Sequence, residues 1–390
     1  MASAKRSIYL DHSATTPVDP RVVEAMAPYW SDVFGNTSSV HAWGRRAAEA
    51  LEGARETVAE VLACRPAEVV FTGSGTEADN LALRGVAWTA RQAGRGHHII
   101  TTPIEHHAVG HTADQLRDLF GFEVTRMPVD EYGQVNPDDI AAAIRPETIL
   151  VSVVMANNEV GTVQPMVRIG RVCRERGVLF HTDAVQAAGR LPLEVDEMHV
   201  DLLALSAHKF YGPKGVGVLF VRRGVDLLPA VTGGGHERGY RPGTVNVAGA
   251  VGLATALRLA EEERVAESAR LTRLRNRLIE GVLASVPESR LTGHPTRRLC
   301  HHASFAFRDV EGASVVVALD LEGIAVSSGA ACSEGEAEPS FVLEAMGFSP
   351  DWGIGAVRFS LGRSTTEADI DAVLEVLPGV IARLRREVGG

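Results

Sequence analysis

Residues 201–215 read DLLALSAHKFYGPKG, and this stretch decides the fold. The apolar run at 202–205 predicts a buried strand, and Lys209 follows shortly after its end. A lysine that is partly desolvated there has a lowered pKa and reacts more readily with a carbonyl compound. The stretch therefore predicts a lysine that forms an imine with a ligand. Lys214, beside Pro213 and Gly215, is interpreted as an ordinary loop lysine.

Short apolar runs alternate with helix-like segments on both sides of this stretch. The runs lie at 69–71, 98–101, 149–154, 178–181, 202–205 and 218–221. Continuous apolar strands separated by helices are typical of a mostly parallel sheet with both faces covered. The pattern predicts an α/β fold of about seven strands whose ligand lies beyond the strand carboxyl ends.

The pattern changes near residue 249. A long helix is predicted over about 250–284, with a solvated charged face at 261–264. Strand-like runs follow at 304–307, 324–326 and 357–360, which indicate a smaller α+β domain. We predict a large domain of residues 16–262 and a small domain formed by residues 1–15 and 263–390.

Composition excludes several classes of protein. The chain has 390 residues, 45% of them hydrophobic and 23% charged, as in soluble proteins with more than one core. A formal net charge of -10 argues against direct nucleic-acid binding, because a phosphate backbone favours a basic surface. No apolar run is long enough to span a membrane, and no apolar signal region follows Met1. We therefore expect a cytoplasmic protein without a membrane partner.

The four cysteines are far apart in the sequence. Cys64, Cys173, Cys300 and Cys332 include no CxxC pair, so neither a metal site nor a disulfide framework is predicted. Cys332 lies in the stretch SSGAACSEG at 327–335, whose residues are too small and too polar to form a hydrophobic core. It is a candidate nucleophile, although a small loop residue without a role fits the same pattern.

A glycine-rich turn at 73–76 connects the strand at 69–71 to a helix. Its glycines permit a tight turn, and the helix start offers free NH groups and a positive dipole end to a phosphate. A capped turn without any ligand is the favoured interpretation when this motif is considered alone.

Polar residues also follow the neighbouring strands. Asp183 comes just after the strand at 178–181, where a carboxylate can pair with a protonated pyridine nitrogen or cap a helix. His106 and His107 follow the strand at 98–101, and Asn157 and Asn158 follow the strand at 149–154. Each residue fits a structural role alone, but together they indicate a cofactor site. With Lys209 and Cys332, they indicate pyridoxal phosphate (PLP) chemistry and sulfur transfer.

The chain resembles the cysteine desulfurases of the NifS/IscS type, class V aminotransferase-like enzymes of the fold-type I PLP group. The resemblance runs nearly end to end, with motifs in the family's order and spacing. These motifs are YLDHSATTP at 9–17, TEADN at 76–80, EH at 105–106, NNEVG at 157–161, DAVQ at 183–186, SAHK at 206–209, GGGHERG at 233–239, SSGAAC at 327–332 and RFSLGR at 358–363.

The resemblance implies a role for each matching residue. Lys209 binds PLP covalently, Asp183 pairs with its ring nitrogen, and His106 stacks on the ring and shuttles protons. Thr244 reaches the phosphate of the other subunit, so a homodimer is implied. Arg358 and Asn158 hold the substrate carboxylate, for which a guanidinium fork is well shaped. The remaining cofactor contacts are Gln186 at the phenolic oxygen and Gly75, Thr76, Ser206 and His208 at the phosphate.

The implied activity is conversion of L-cysteine to L-alanine, with the sulfur carried as a persulfide on Cys332. The context of Cys332 resembles the branch with a longer cysteine loop, which implies transfer to an acceptor protein such as an iron–sulfur scaffold. A selenocysteine lyase or another class V aminotransferase or lyase is the alternative, since it would share Lys209, Asp183 and His106. A non-enzymatic partner is disfavoured, because Lys209 and the glycine-rich turn are both present.

Overall fold

The computed structural model describes residues 7–329, 332–333, 336–337 and 339–388. Its strands are β1 (Ile8–Tyr9), β2 (Val69–Thr72), β3 (His98–Thr101), β4 (Glu123–Arg126), β5 (Thr148–Ser152), β6 (Leu179–Asp183), β7 (Leu202–Ser206), β8 (Gly217–Val221), β9 (Ser289–Leu291), β10 (His302–Phe307), β11 (Ile324–Ala325), β12 (Ser327–Ser328), β13 (Cys332–Ser333), β14 (Glu336–Ala337) and β15 (Ala356–Ser360). Its helices are α1 (Pro20–Met26), α2 (Pro28–Ser31), α3 (Ala42–Leu62), α4 (Gly75–Gln92), α5 (His107–Phe120), α6 (Pro137–Ala143), α7 (Met166–Arg176), α8 (Val247–Ser285), α9 (Gly312–Leu321), α10 (Phe341–Ala345), α11 (Pro350–Gly353) and α12 (Glu367–Val388).

A seven-stranded sheet in the order β2-β8-β7-β6-β5-β3-β4 forms the larger part of the molecule. The strands from β7 to β4 in this order run parallel, and β8 is antiparallel to both of its neighbours. The predicted mostly parallel α/β sheet is confirmed. The edge strand β4 was not predicted, because its residues are mostly polar and its side chains are only partly covered.

Helices cover both faces of this sheet. In β7, Leu203 and Leu205 belong to a core shared with α3 and α8, whereas Leu202 and Ala204 belong to a core shared with α4 and α5. Successive side chains of a strand point to opposite faces, so a strand buried on both sides must be apolar throughout. This explains the uninterrupted apolar run at 202–205.

The smaller part is α+β, as predicted. Its antiparallel sheet has the order β12-β15-β10-β9 and packs with α9 and α12 around a separate core. The long helix α8 joins the two parts, since Leu257 packs in the core of the large sheet and Leu271 in that of the small sheet. The domain limits at residues 16 and 262 stay a prediction.

The N-terminal segment passes between the two sheets. β1 pairs with β11, and Asp11 forms a bridge with Ser360 of β15. A few residues later, the backbone NH of Thr16 donates to the carbonyl oxygen of His208, at the end of β7. The segment therefore places residues 11–16 beside the carboxyl ends of the parallel strands. Among the residues described, no helix has the length and apolarity needed to cross a membrane.

Candidate active site

A cavity of about 280 Å³ lies at the carboxyl ends of β5, β6 and β7. Ten of the sequence-predicted site residues line it, and their side chains come from both sheets. These ten are Gly75, Thr76, His106, Asn158, Asp183, Gln186, Ser206, His208, Lys209 and Arg358. The prediction that a ligand site lies beyond the strand carboxyl ends agrees with this position.

Lys209 sits in a short helical turn directly after β7. Its Nζ donates to the carbonyl oxygens of Ser13 at 2.6 Å and Ala14 at 2.7 Å. Burial lowers the pKa of Lys209 to about 8, and the positive charges of Arg358 and Arg190 act in the same direction. The amine is therefore held in one place and is easier to deprotonate than an exposed lysine, as imine formation requires.

Asp183 ends β6 and is buried. Its Oδ1 accepts a hydrogen bond from the NH of Val185 at 2.8 Å. Burial raises the pKa of Asp183, while His106, the Val185 hydrogen bond and Lys209 oppose the rise. The position suits a carboxylate that pairs with a cationic ligand nitrogen, because such a partner offsets the cost of burying the charge.

Two further buried carboxyl groups lie near Asp183. Asp79 has a pKa well above its ordinary value, because of burial and the nearby charges of Asp183 and Glu105. Burial raises the pKa of Glu105 to about 8, although Thr102 and the NH of Val154 donate hydrogen bonds to it. His181 contacts Asp79 at 3.4 Å and Ser152 at 2.8 Å. Of these carboxyl groups, Asp79 and Asp183 line the cavity, which therefore favours a cationic ligand atom on that side.

The opposite end of the cavity is suited to an anion. Ser74 caps helix α4 by accepting from the NH of Glu77, so the first NH groups of the helix face the region of Gly75 and Thr76. A Cβ atom at Gly75 would lie 2.7 Å from Val185 and 3.2 Å from Ser206. Only glycine therefore lets the helix begin this close to the end of β7.

His208 and His106 complete the walls of the cavity. His208 contacts the hydroxyl of Thr15 through Nδ1, and burial lowers its pKa to about 4, so the ring is neutral. His106 accepts from the NH of Ala108 through Nδ1, which caps helix α5. An Nδ1 that accepts leaves the proton of the neutral ring on Nε2. His106 can therefore donate a proton from Nε2.

Arg358 brings a cation into the cavity from the small sheet. Its Nη2 donates to Oδ1 of Asp11 at 2.8 Å, and its Nη1 donates to the carbonyl oxygen of Asn158 at 2.8 Å. Its buried Nε has no hydrogen-bond partner within the described part of the chain. A guanidinium fixed on two sides with a free NH is suited to a carboxylate ligand.

Two predicted residues are not among the described residues that line this cavity. Thr244 is exposed and does not line the cavity of its own chain. Cys332 lies in β13, which pairs with β14, and its side chain is outside the described residues. The strand just before it, β12, pairs with Arg358 and Val357 of β15.

The cavity fits PLP on its own chemistry. It offers an amine for the aldehyde, a carboxylate for the ring nitrogen, and a helix start with hydroxyl and imidazole groups for the phosphate. Gln186 donates from Nε2 to the carbonyl oxygen of Ser13, and its buried Oε1 has no partner among the described residues. No group of three His, Cys, Asp or Glu side chains suited to a metal occurs in the described ranges.

Sequence reasoning missed several residues that shape the site. Asp11, Ser13 and Ala14 belong to a motif that was recognised at 9–17 but given no role, and two of them act through backbone carbonyls that carry no sequence signal. Arg190 is half-buried, and its Nη2 donates to the carbonyl oxygen of Lys209 at 3.0 Å. Asp79 lies within the recognised motif at 76–80, and the acidic residues of this motif are the sequence signal that could have predicted its place in the site.

Comparison with known proteins identifies the family. The aminotransferase class-V model matches residues 8–373, so the chain belongs to this PLP-dependent family. A cysteine desulfurase IscS of Methanosarcina thermophila is 46% identical over 99% of this chain and 94% of its own. A solved NifS-like protein is 38% identical with a TM-score of 0.91, covering 97% of this chain and 100% of its own. SspA, solved in complex with cysteine, is 35% identical with a TM-score of 0.81, covering 91% and 99%.

Within the family, the chain groups with the cysteine desulfurases of the NifS/IscS type. This grouping confirms the prediction made from the series of motifs between residues 9 and 363.

Proposed function

We propose that this protein converts L-cysteine to L-alanine and carries the released sulfur as a persulfide on Cys332. The observation that carries the proposal is the convergence of Lys209, Asp183 and Arg358 in one cavity. An amine, a carboxylate and a guanidinium placed together match the needs of PLP and of an α-amino acid. The cysteine complex of SspA supports cysteine as the amino acid.

The proposed cofactor roles are those that the family resemblance implies, and the positions of these residues in the cavity support them. Lys209 would hold PLP covalently, Asp183 would accept a hydrogen bond from the ring nitrogen, and His106 would lie over the ring. Bound PLP supplies an electron sink that stabilises negative charge at the substrate Cα. Gln186 would meet the phenolic oxygen, and the phosphate would be held by Gly75, Thr76, Ser206 and His208.

The residues proposed to bind the substrate or to react with it are Arg358, Asn158 and Lys209. Arg358 would bind the α-carboxylate, with Asn158 fixing the guanidinium through its carbonyl oxygen. Lys209 would take the proton from Cα, a task that suits an amine with a pKa of about 8. His106, with a proton on Nε2, would return protons to the product.

Cys332 is the proposed sulfur acceptor. Its thiolate attacks the substrate sulfur, the bond between Cβ and sulfur breaks, and Cβ gains a proton, so that cysteine and a thiol become alanine and a persulfide. Ser328 pairs with Val357, beside Arg358 in β15. Four residues span at most about 14 Å, so the backbone of Cys332 stays within that distance of Ser328.

A homodimer is proposed from Thr244 and from an exposed apolar surface. Thr244 does not line its own cavity, which leaves it available to a second copy. Trp30, Phe34 and Trp43 are 66%, 64% and 50% exposed. Exposed clusters of large apolar side chains mark interaction surfaces. Sedimentation equilibrium at twice the chain mass of 41.6 kDa would support the dimer, and a monomer would contradict it.

We also propose that the persulfide passes to an acceptor protein such as an iron–sulfur scaffold, in the cytoplasm. Cys64, Cys173 and Cys300 are free thiols, which fits a reducing compartment.

The test measures alanine and sulfide from PLP-loaded protein with L-cysteine and a thiol reductant. We expect equal amounts of the two products, and loss of both in Cys332→Ala. Cys64→Ala is the matched control, since Cys64 is a half-buried thiol outside the cavity. Unchanged products in Cys332→Ala would contradict the role of Cys332. A wild type that is inactive on cysteine but active on selenocysteine or on another amino acid would favour the alternative class V activities.

A further inference from the structure

The turn after β5 is held rigidly by Asn157. This buried side chain accepts from the NH groups of Glu159 at 2.8 Å and Val160 at 2.9 Å, and donates to the carbonyl oxygen of Ile104 at 2.9 Å. With both backbone and side-chain groups satisfied, the turn has little freedom to move. The position of Glu159 is therefore fixed by the fold.

The residue before Glu159 contacts the substrate side of the cavity. The carbonyl oxygen of Asn158 accepts from Nη1 of Arg358 at 2.8 Å and contacts Nε2 of His302 at 3.1 Å. The peptide that links Asn158 to Glu159 thus belongs to the wall that orients Arg358.

The side chain of Glu159 contacts Ser340, after Cys332 in the chain, and lies near Gly329, before it. Its Oε2 accepts from the hydroxyl of Ser340 at 2.6 Å, and Ser340 is buried and caps helix α10. On the other side, a Cβ atom added to Gly329 would lie 3.4 Å from the same Oε2. Gly329, before Cys332 in the chain, and Ser340, after it, therefore both lie beside one carboxyl group.

Burying a carboxyl group costs free energy, which a neutral acceptor for the Ser340 hydroxyl would avoid. Burial raises the pKa of Glu159 to about 7, and the Ser340 hydrogen bond and the charge of Arg358 oppose the rise. The described groups that face this carboxyl are Ser340 of the α10 cap and Arg358 of β15, with His302 of β10 on the adjoining peptide. A role beyond capping explains why a carboxyl group stands at this position.

We propose that Glu159 is a positioning residue, which anchors Ser340, just after the Cys332 segment, to the turn that orients Arg358. The inference rests on the proposed role of Cys332 as sulfur acceptor. Glu159 does not line the cavity, so it acts through the placement of the segment and not on the substrate itself.

The test is Glu159→Gln, with Glu197→Gln as a matched control on an exposed surface. Cysteine affinity is read from the change in absorbance of the bound cofactor, and kcat from alanine release. We expect kcat to fall about tenfold in Glu159→Gln with cysteine affinity within about twofold of wild type, because a small misplacement of a reacting group mainly slows turnover. The wild-type kcat should also show a titration near pH 7 that Glu159→Gln lacks.

Ser340 provides a second route that does not depend on how Glu159→Gln folds. Ser340→Ala should lower kcat as Glu159→Gln does, and the double variant should show little further loss. Ser340→Thr keeps the hydroxyl and should therefore retain the activity that Ser340→Ala loses. An unchanged kcat in both single variants, or an equal loss of affinity and kcat, would overturn the inference. The proposed function fails only if Cys332→Ala stays fully active. The failure of the inference and the failure of the proposed function are therefore distinguishable.

Discussion

Asp183 and Ser206 end strands of the large sheet, and Lys209 lies in the turn just after one of them. Arg358, by contrast, lies inside a strand of the small sheet and is held by Asp11 and Asn158. The first group takes its position from local chain geometry. The second depends on contacts between residues that are far apart in the sequence. The cofactor side of the cavity is therefore set by strand ends of the large sheet together with the carbonyl oxygens of Ser13 and Ala14. The substrate side also requires a strand of the small sheet.

This difference separates two kinds of defect. A change on the cofactor side should abolish chemistry, while the large sheet, whose core is shared with α3 and α8, keeps its fold. A change on the substrate side should alter affinity for the amino acid while the cofactor remains bound. Substitutions on each side of the cavity can therefore test this separation.

Lys209→Ala should lower alanine formation by about 10³-fold or more, because it removes both the covalent link to PLP and the base at Cα. The chain has three lysines, Lys5, Lys209 and Lys214, so borohydride reduction followed by peptide mass analysis can locate the link. Lys214→Arg, in an exposed loop, is the control and should keep full activity. A reduced adduct on Lys214 in the wild type would refute the assignment.

Arg358→Lys should raise the KM for cysteine roughly 10- to 100-fold, because lysine keeps the charge but loses the fork that contacts Asn158, Asp11 and the substrate together. PLP content, read from absorbance, should remain at the wild-type level. Loss of bound PLP in this variant would show that the two sides of the cavity are not separable.

The same division explains what the sequence could predict. The strand ends that carry Asp183 and Lys209 were recognisable, since apolar runs are followed by reactive side chains within a few residues. The polar edge strand β4 gave no such signal. The ion pair of Asp11 with Arg358 joins residues at opposite ends of the chain, and the carbonyl groups of Ser13 and Ala14 act whatever their side chains are. Such contacts follow from the fold and not from local pattern.

The rate of PLP binding to the cofactor-free protein should depend on pH through Lys209. Only the neutral amine reacts, and with a pKa of about 8 roughly a tenth of it is neutral at pH 7. The rate should rise about tenfold per pH unit below pH 8 and level off above it. Stopped-flow absorbance measures this rate. A rise that continues to pH 10 would mean that Lys209 titrates as an exposed lysine.

Asp11→Asn should strengthen binding of cysteine and of simple carboxylates by about two- to tenfold. Asparagine keeps an oxygen that can accept from Nη2 of Arg358, so the guanidinium stays in place, but the negative charge that repels the incoming carboxylate is removed. Titration of the PLP-loaded protein with acetate and with cysteine, followed by cofactor absorbance, measures the change. Weaker binding of both ligands would show that Asp11 mainly orients Arg358, and that the ion pair across the two sheets is what forms the carboxylate site.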